Sequence, residues 1–217
     1  MEVGVGNGHL SLAISDAIAN ASSDALLLVD QGRKPKGKSV YNRLAAGPAL
    51  RQSFGEFERI QLGLEDVDLA GLQDVLAPKR STVIVAKHLC GAASDFVLRA
   101  IATAATKLQP PVPVVLGTCC HHKCDWAGFP NHLLLQQSLR IETERDFRAL
   151  CRLSSSGVSV TDASSCVDAG RRAKDLLDEA RASFLRAQGY DESLLIYVDA
   201  DITPENVLKV GTLPTKT

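Results

Sequence analysis

The stretch Glu2-Val3-Gly4-Val5-Gly6-Asn7-Gly8 runs straight into a segment whose apolar residues Leu10, Ala13, Ile14 and Ala17 recur at spacings of three and four. It reads as a strand end, a glycine turn and an amphipathic helix over residues 9–20. Glycine tolerates positive φ and carries no Cβ, so main-chain amides and a helix N-terminus can closely approach a polar ligand there. Residues 25–29, Ala-Leu-Leu-Leu-Val, then form a continuous apolar run that ends at Asp30. A strand apolar on both faces suits a parallel sheet covered by helices, whereas a half-exposed antiparallel strand alternates. Asp30 stands where doubly wound folds place an acid against the two ribose hydroxyls of a nucleotide.

Outward from this unit the alternation of strand and helix continues. Strands are expected at residues 58–64, 82–86 and 112–118, with a short helix at 69–76 between the first two. A further helix, capped by Ser94 or Asp95, carries Phe96, Val97, Ala100, Ile101, Ala104 and Leu108 on one stripe before Pro110 and Pro111 stop it. Residues 131–139 and 143–153 read as helices, 154–161 as a loop and 167–188 as a long amphipathic helix. Strands at 194–198 and 207–210 close the chain as an antiparallel pair added to a parallel sheet. The expected class is therefore α/β, a mostly parallel sheet with an antiparallel C-terminal strand pair.

Composition bounds the function. The chain has 217 residues, 45% hydrophobic and 23% charged, with a net charge of −1, which fits one globular domain. Such a balance does not draw nucleic acid by its overall field, so any RNA contact must be regional. The clearest basic region is the loop over residues 31–39, with Arg33, Lys34, Lys36 and Lys38, followed by Arg43 and Arg51. Lysine and arginine on such a loop contact phosphate without reading sequence. The apolar runs are far shorter than the roughly 20 residues of a bilayer span, and no basic flank marks a leader. An intracellular protein is expected, with nucleus and cytoplasm not distinguished and oligomeric state not legible.

Three of the six cysteines fall in Cys119-Cys120-His121-His122-Lys123-Cys124. Thiolates and imidazoles are preferred zinc ligands, but four ligands from one six-residue segment cannot readily converge on a tetrahedron. Cys119, Cys120 and Cys124 are accordingly weak metal candidates, and zinc is not favoured over a catalytic or RNA-contacting loop. Cys90 would change that balance if the fourth and fifth strands are neighbours. Trp126 and Phe129 nearby either stack on an exposed base or are buried.

The opening motif E-x-G-x-G-x-G resembles the first motif of S-adenosylmethionine-dependent methyltransferases. The dinucleotide fingerprint G-x-G-x-x-G is a poorer fit, because His9 stands where its third glycine or alanine belongs. The stretch Val83-Ile84-Val85-Ala86-Lys87-His88-Leu89-Cys90-Gly91-Ala92-Ala93-Ser94-Asp95, with Cys119-Cys120-His121-His122-Lys123-Cys124-Asp125-Trp126, closely resembles the tRNA ribose methyltransferases that modify position four of the acceptor stem. Similarity continues through residues 142–153, 170–189 and 202–210. The resemblance implies a class I Rossmann-like methyltransferase that moves the methyl of S-adenosylmethionine to a 2′-hydroxyl of tRNA.

Members of that family are larger and carry small zinc-binding modules ahead of the catalytic domain. Residues 1–217 are therefore expected to be a single methyltransferase domain shortened at its N-terminal strand. Gly63 stands near the position of the acid expected after the third strand, leaving Glu65 or Asp66 for the adenine end. The cofactor set is then Glu2, Gly4, Gly6, Gly8, Asp30 and Asp66.

A ribose hydroxyl is a poor nucleophile at neutral pH, so it must be aligned and relieved of its proton. Lys87, at the end of the fourth strand, is the candidate cation beside it. His88, His121 and His122 are candidate bases, and Asp95 is a candidate orienting carboxylate that also suits a helix cap. Two other readings stay open: a related enzyme acting on ribosomal RNA or protein, and a non-catalytic domain that binds RNA or a protein partner.

Overall fold

The computed structural model describes residues 1–6, 9–18, 25–31, 54–76, 82–107, 112–158 and 165–212. Gly8 and the basic-loop residues Arg33, Lys34, Lys36, Lys38 and Arg43 lie outside the described residues. Seven strands, β1 (Glu2–Val3), β2 (Ala25–Asp30), β3 (Glu56–Gln61), β4 (Ile84–Cys90), β5 (Val114–Cys119), β6 (Asp191–Ile196) and β7 (Val207–Thr212), form one sheet in the order β3-β2-β1-β4-β5-β7-β6. The first five pair in parallel, and β7 joins β5 and β6 antiparallel. The helices are α1 (His9–Ala17), α2 (Leu69–Leu76), α3 (Ala92–Ala105), α4 (His132–Leu139), α5 (Glu144–Ser156) and α6 (Ser165–Ala187). This is the expected Rossmann-like methyltransferase architecture, mostly parallel with an antiparallel C-terminal pair. Among the described residues no helix is long and apolar enough to cross a membrane.

The period of two in β2 explains why the sheet has helices on both faces. Leu27 and Val29 join Val3, Ile84 and the α3 residues Val97, Leu98 and Ile101 in the larger core. Leu26 and Leu28 turn the other way, packing with Val5, Phe54 and Ile14 of α1. Each such side chain contributes about 1.5–3 kcal/mol on burial. A third cluster binds α4, α5 and α6 through Phe129, Leu135, Phe147, Cys151, Leu177 and Ala180. The end of α5 approaches α6 so closely that a Cβ on Gly170 would lie 2.2 Å from the Gly157 nitrogen.

Several boundaries differ from expectation for local reasons. β4 does not stop at Ala86 but continues to Cys90, because a bulge between Lys87 and Leu89 takes up His88 and returns Leu89 to the core. β3 ends at Gln61, and Leu64–Asp66 makes a tight helical turn instead. Ser94 and Asp95 are not the cap of α3. Gly91 precedes the helix at φ +54°, and both residues are buried in the first turn, where the Ser94 hydroxyl donates to the Leu89 carbonyl at 2.7 Å. Residues 154–156 extend α5 rather than opening a loop. β6 begins at Asp191, immediately after the turn through Gly189 at φ +85° that ends α6.

Candidate active site

The sheet order reverses at β1, with β2 on one side and β4 on the other. Ligands of open α/β sheets bind at the carboxyl ends of strands flanking such a point. A cleft of about 340 Å³ lies there, with Gly4, Gly6, Asp30, Glu65, His88 and Cys90 among its lining. Leu64, Leu89 and Phe96 give it an apolar wall. The glycine turn adopts the backbone that its residues permit: φ is +70° at Gly4 and +53° at Gly6. A Cβ at Gly4 would meet Leu89 Cδ2 at 2.8 Å, so a larger residue there would have to push the Leu89 side chain aside as well as adopt a positive φ. The Gly6 amide donates to Asp30 Oδ2 at 2.8 Å, and the Gly4 amide to the Val29 carbonyl at 2.8 Å. Glu2 is buried behind the turn and accepts the Ser11 hydroxyl of α1; burial raises its carboxyl above the usual range.

The structure thus gathers Gly4, Gly6 and Asp30 on one cleft, with Glu2 supporting them from behind. At the adenine end Glu65 lines the cleft, whereas Asp66 is exposed beside it and is not part of the lining. His88 reaches the cleft wall from the β4 bulge at φ +63°. Lys87 is exposed on the same strand, its ammonium 5.5 Å from the centre of the Tyr197 ring. Tyr197 belongs to the segment between β6 and β7, and its hydroxyl donates to the Glu205 carbonyl at 3.1 Å.

His121 and His122 part company on the turn His121–Lys123. His122 is exposed, while His121 is buried with Nε2 2.7 Å from Asp178 Oδ1. The same carboxylate accepts Thr118 at 2.9 Å and Lys209 at 2.7 Å, with Lys174 at 3.5 Å from its other oxygen. Burial alone would raise Asp178, but the charges of Lys209, His121 and Lys174 hold it well below the usual carboxylate range. Burial lowers His121 from its usual value, with Asp178 opposing that shift. One turn on in α6, Arg181 is fully buried and donates Nε to Asp95 Oδ1 at 2.8 Å. Asp95 therefore fixes α3 to α6 in the interior rather than facing the cleft. Lys174 is likewise buried and also pairs with Glu205 at 3.7 Å.

The cysteine cluster divides as well. Cys119 and Cys120 stay at the end of β5 near Cys90, while Cys124 turns inward, its sulfur 3.0 Å from Arg181 Nη2. Trp126 and Phe129 pack with Phe147 in the helical cluster, Trp126 5.3 Å and Phe129 5.0 Å from its ring; Phe129 is buried and Trp126 half-buried. The polar interior went unanticipated in the sequence: Asp178, Arg181, Lys209 and Glu205 come from distant segments. One local signal was available, a lysine in the apolar strand Val207-Leu208-Lys209-Val210, which must find a buried anion.

A family model described as Methyltransferase TRM13 matches residues 1–167 and 161–211. The chain is 28% identical to the tRNA:m(4)X modification enzyme TRM13 of Yarrowia lipolytica, an alignment covering 95% of this chain and 53% of that protein. It is 27% identical to the Eremothecium gossypii protein of the same name, covering 95% of this chain and 54% of the other. It is 22% identical to the human tRNA:m(4)X modification enzyme TRM13 homolog, covering 96% and 58%. The chain thus spans about half the length of these curated relatives.

Proposed function

The chain belongs to the TRM13 methyltransferase family, and from that premise we propose that it is the methyltransferase domain of a tRNA 2′-O-ribose methyltransferase, using S-adenosylmethionine and acting on nucleotide four of the acceptor stem. The observation that carries this reading is the convergence of the glycine turn, Asp30 and His88 on one cleft at the reversal of the sheet. The cleft suits the cofactor in size and in chemistry. This reading assigns Asp30 to the ribose hydroxyls, Glu65 to the adenine end, and Leu64, Leu89 and Phe96 to the flat apolar base; all five line the cleft. The backbone of Gly4 and Gly6 admits close approach, and among the described residues beyond its chain neighbours no heavy atom lies within 4 Å of where a Gly6 Cβ would stand.

Bound there, S-adenosylmethionine supplies an electrophilic methyl group. The chain's own residues then have three tasks. The glycine turn and Asp30 fix the donor's position, which in aligned reactions removes several kcal/mol of barrier. Lys87, next to His88 in the chain, supplies a cation that lowers the effective pKa of the incoming 2′-hydroxyl. His88, on the cleft wall, would take that hydroxyl's proton on an imidazole nitrogen as the oxygen–methyl bond forms and the methyl–sulfur bond breaks. Cationic residues 33–43 are the proposed contact to the acceptor-stem phosphates.

The test is methylation of tRNA lacking the modification, using labelled S-adenosylmethionine, followed by nuclease digestion and mass mapping. The reading predicts a ribose methyl at nucleotide four. A methyl on a base, at another nucleotide, or on protein instead would overturn it.

A further inference from the structure

The three cysteines at the ends of β4 and β5 have a geometry of their own, independent of the methyltransferase reading. β4 and β5 are neighbours in parallel register, and their last residues, Cys90 and Cys119, are paired across the ladder. Their sulfurs are 3.3 Å apart. Successive residues of an extended strand point to opposite faces, which would send Cys120 away from this pair. The chain leaves that alternation at Cys120, whose φ of 50° and ψ of 47° are left-handed, a conformation that L residues other than glycine seldom adopt. Sulfur atoms of Cys90, Cys119 and Cys120 consequently lie within 4.8 Å of one another.

The surroundings hold this arrangement. The Cys120 amide donates to Glu205 Oε1 at 3.3 Å, and the Gly91 amide to the Cys119 carbonyl at 3.0 Å. Lys123 backbone lies against Gly91, where a Cβ would come within 2.4 Å of its carbonyl. The turn after β5 is thereby folded back over the end of β4. A left-handed residue fixed in this way, bringing a third thiol to a pair already in contact, points to what the sulfurs hold.

We propose that Cys90, Cys119 and Cys120 form a three-thiolate site for a thiophilic divalent cation of the zinc class. Zinc–sulfur bonds of about 2.3 Å at tetrahedral angles place sulfurs roughly 3.8 Å apart, a spacing reached here by small side-chain rotations. Three protein ligands leave the fourth position to water or an incoming donor, and Cys90 is exposed and also lines the cleft. The ligand set differs from the contiguous cluster of the sequence: Cys90 enters from β4, and Cys124 leaves it for Arg181.

The experiment uses the whole chain, its thiols confirmed reduced, titrated anaerobically with cobalt(II) and then zinc. A sulfur-to-cobalt charge-transfer absorption saturating at one equivalent, and bleached by zinc, is expected. Cys90→Ser, Cys119→Ser and Cys120→Ser should each weaken binding ~10-fold or more, and Cys124→Ser and Cys166→Ser should leave it unchanged. If the buried Cys119→Ser does not fold, the exposed Cys90→Ser carries the test. Absence of the band, or its persistence in Cys90→Ser with loss in Cys124→Ser, would overturn the assignment. Neither result touches cofactor binding, which is read separately.

Discussion

The glycine cleft and the polar interior behind β5 both collect charged and hydrogen-bonding groups, yet they are built in opposite ways. The cleft is assembled from short stretches at strand ends, with Asp30, Glu65 and His88 among its lining. The interior is assembled around Asp178, reached by Thr118, His121, Lys174 and Lys209 from four segments and closed to solvent. In the first, polar groups line a cleft open to solvent; in the second they satisfy one another away from it. The difference teaches that a perturbed titration or a dense charge network locates structure as readily as chemistry. Here the dense charge network holds α6 to β5 and β7.

Substitutions that separate the two regions should show this, beginning with the largest. Asp178→Ala leaves Lys209 and Lys174 buried without their shared anion. It should cost about 3–5 kcal/mol of stability, read by chemical denaturation; a loss below about 1 kcal/mol would contradict the role assigned to the hub. Lys87→Ala should act in the other sense. Methyl transfer should fall by about 100-fold or more while the melting temperature and S-adenosylmethionine affinity stay close to the parent. Normal turnover in this variant would remove Lys87 from the mechanism.

The smallest effect is in the pH dependence. His121 is held below its usual value in the folded chain, so below about pH 6.5 the unfolded state binds the proton first, and stability falls as pH decreases. Asp178, also lowered, adds to the loss in the same direction at more acid pH, below the usual carboxylate value near 3.8. Denaturation between pH 7 and 5 should show a slope of at most about 1.4 kcal/mol per pH unit from His121. His121→Gln should flatten it. An unchanged slope in that variant would assign the dependence to another group.

The two regions also differ in how far the sequence revealed them. The apolar run before Asp30 announces a buried parallel strand, and the glycines before α1 announce a turn open to a ligand, because both signals are local. Lys87 and His88 looked like the end of a strand, since a bulge that lets Leu89 re-enter the core has no signature in residue type alone. Asp95 read as a cap because its partner Arg181 lies 86 positions away and nothing nearby marks the pair. Glu65 and Asp66 could not be separated in advance, because the tight turn at Leu64–Asp66 decides which carboxylate faces the cleft. Pairings set by tertiary contact, above all those of Asp178, become visible only once α6 lies against the sheet.

The most direct test of the account is calorimetric titration of the purified chain with S-adenosylmethionine and with its demethylated product. The account predicts micromolar binding, about −8 kcal/mol, that Asp30→Ala weakens by ~10-fold or more without unfolding the chain. Undiminished binding in Asp30→Ala, or no binding by the folded parent chain, would contradict the central claim that the glycine cleft is the cofactor site.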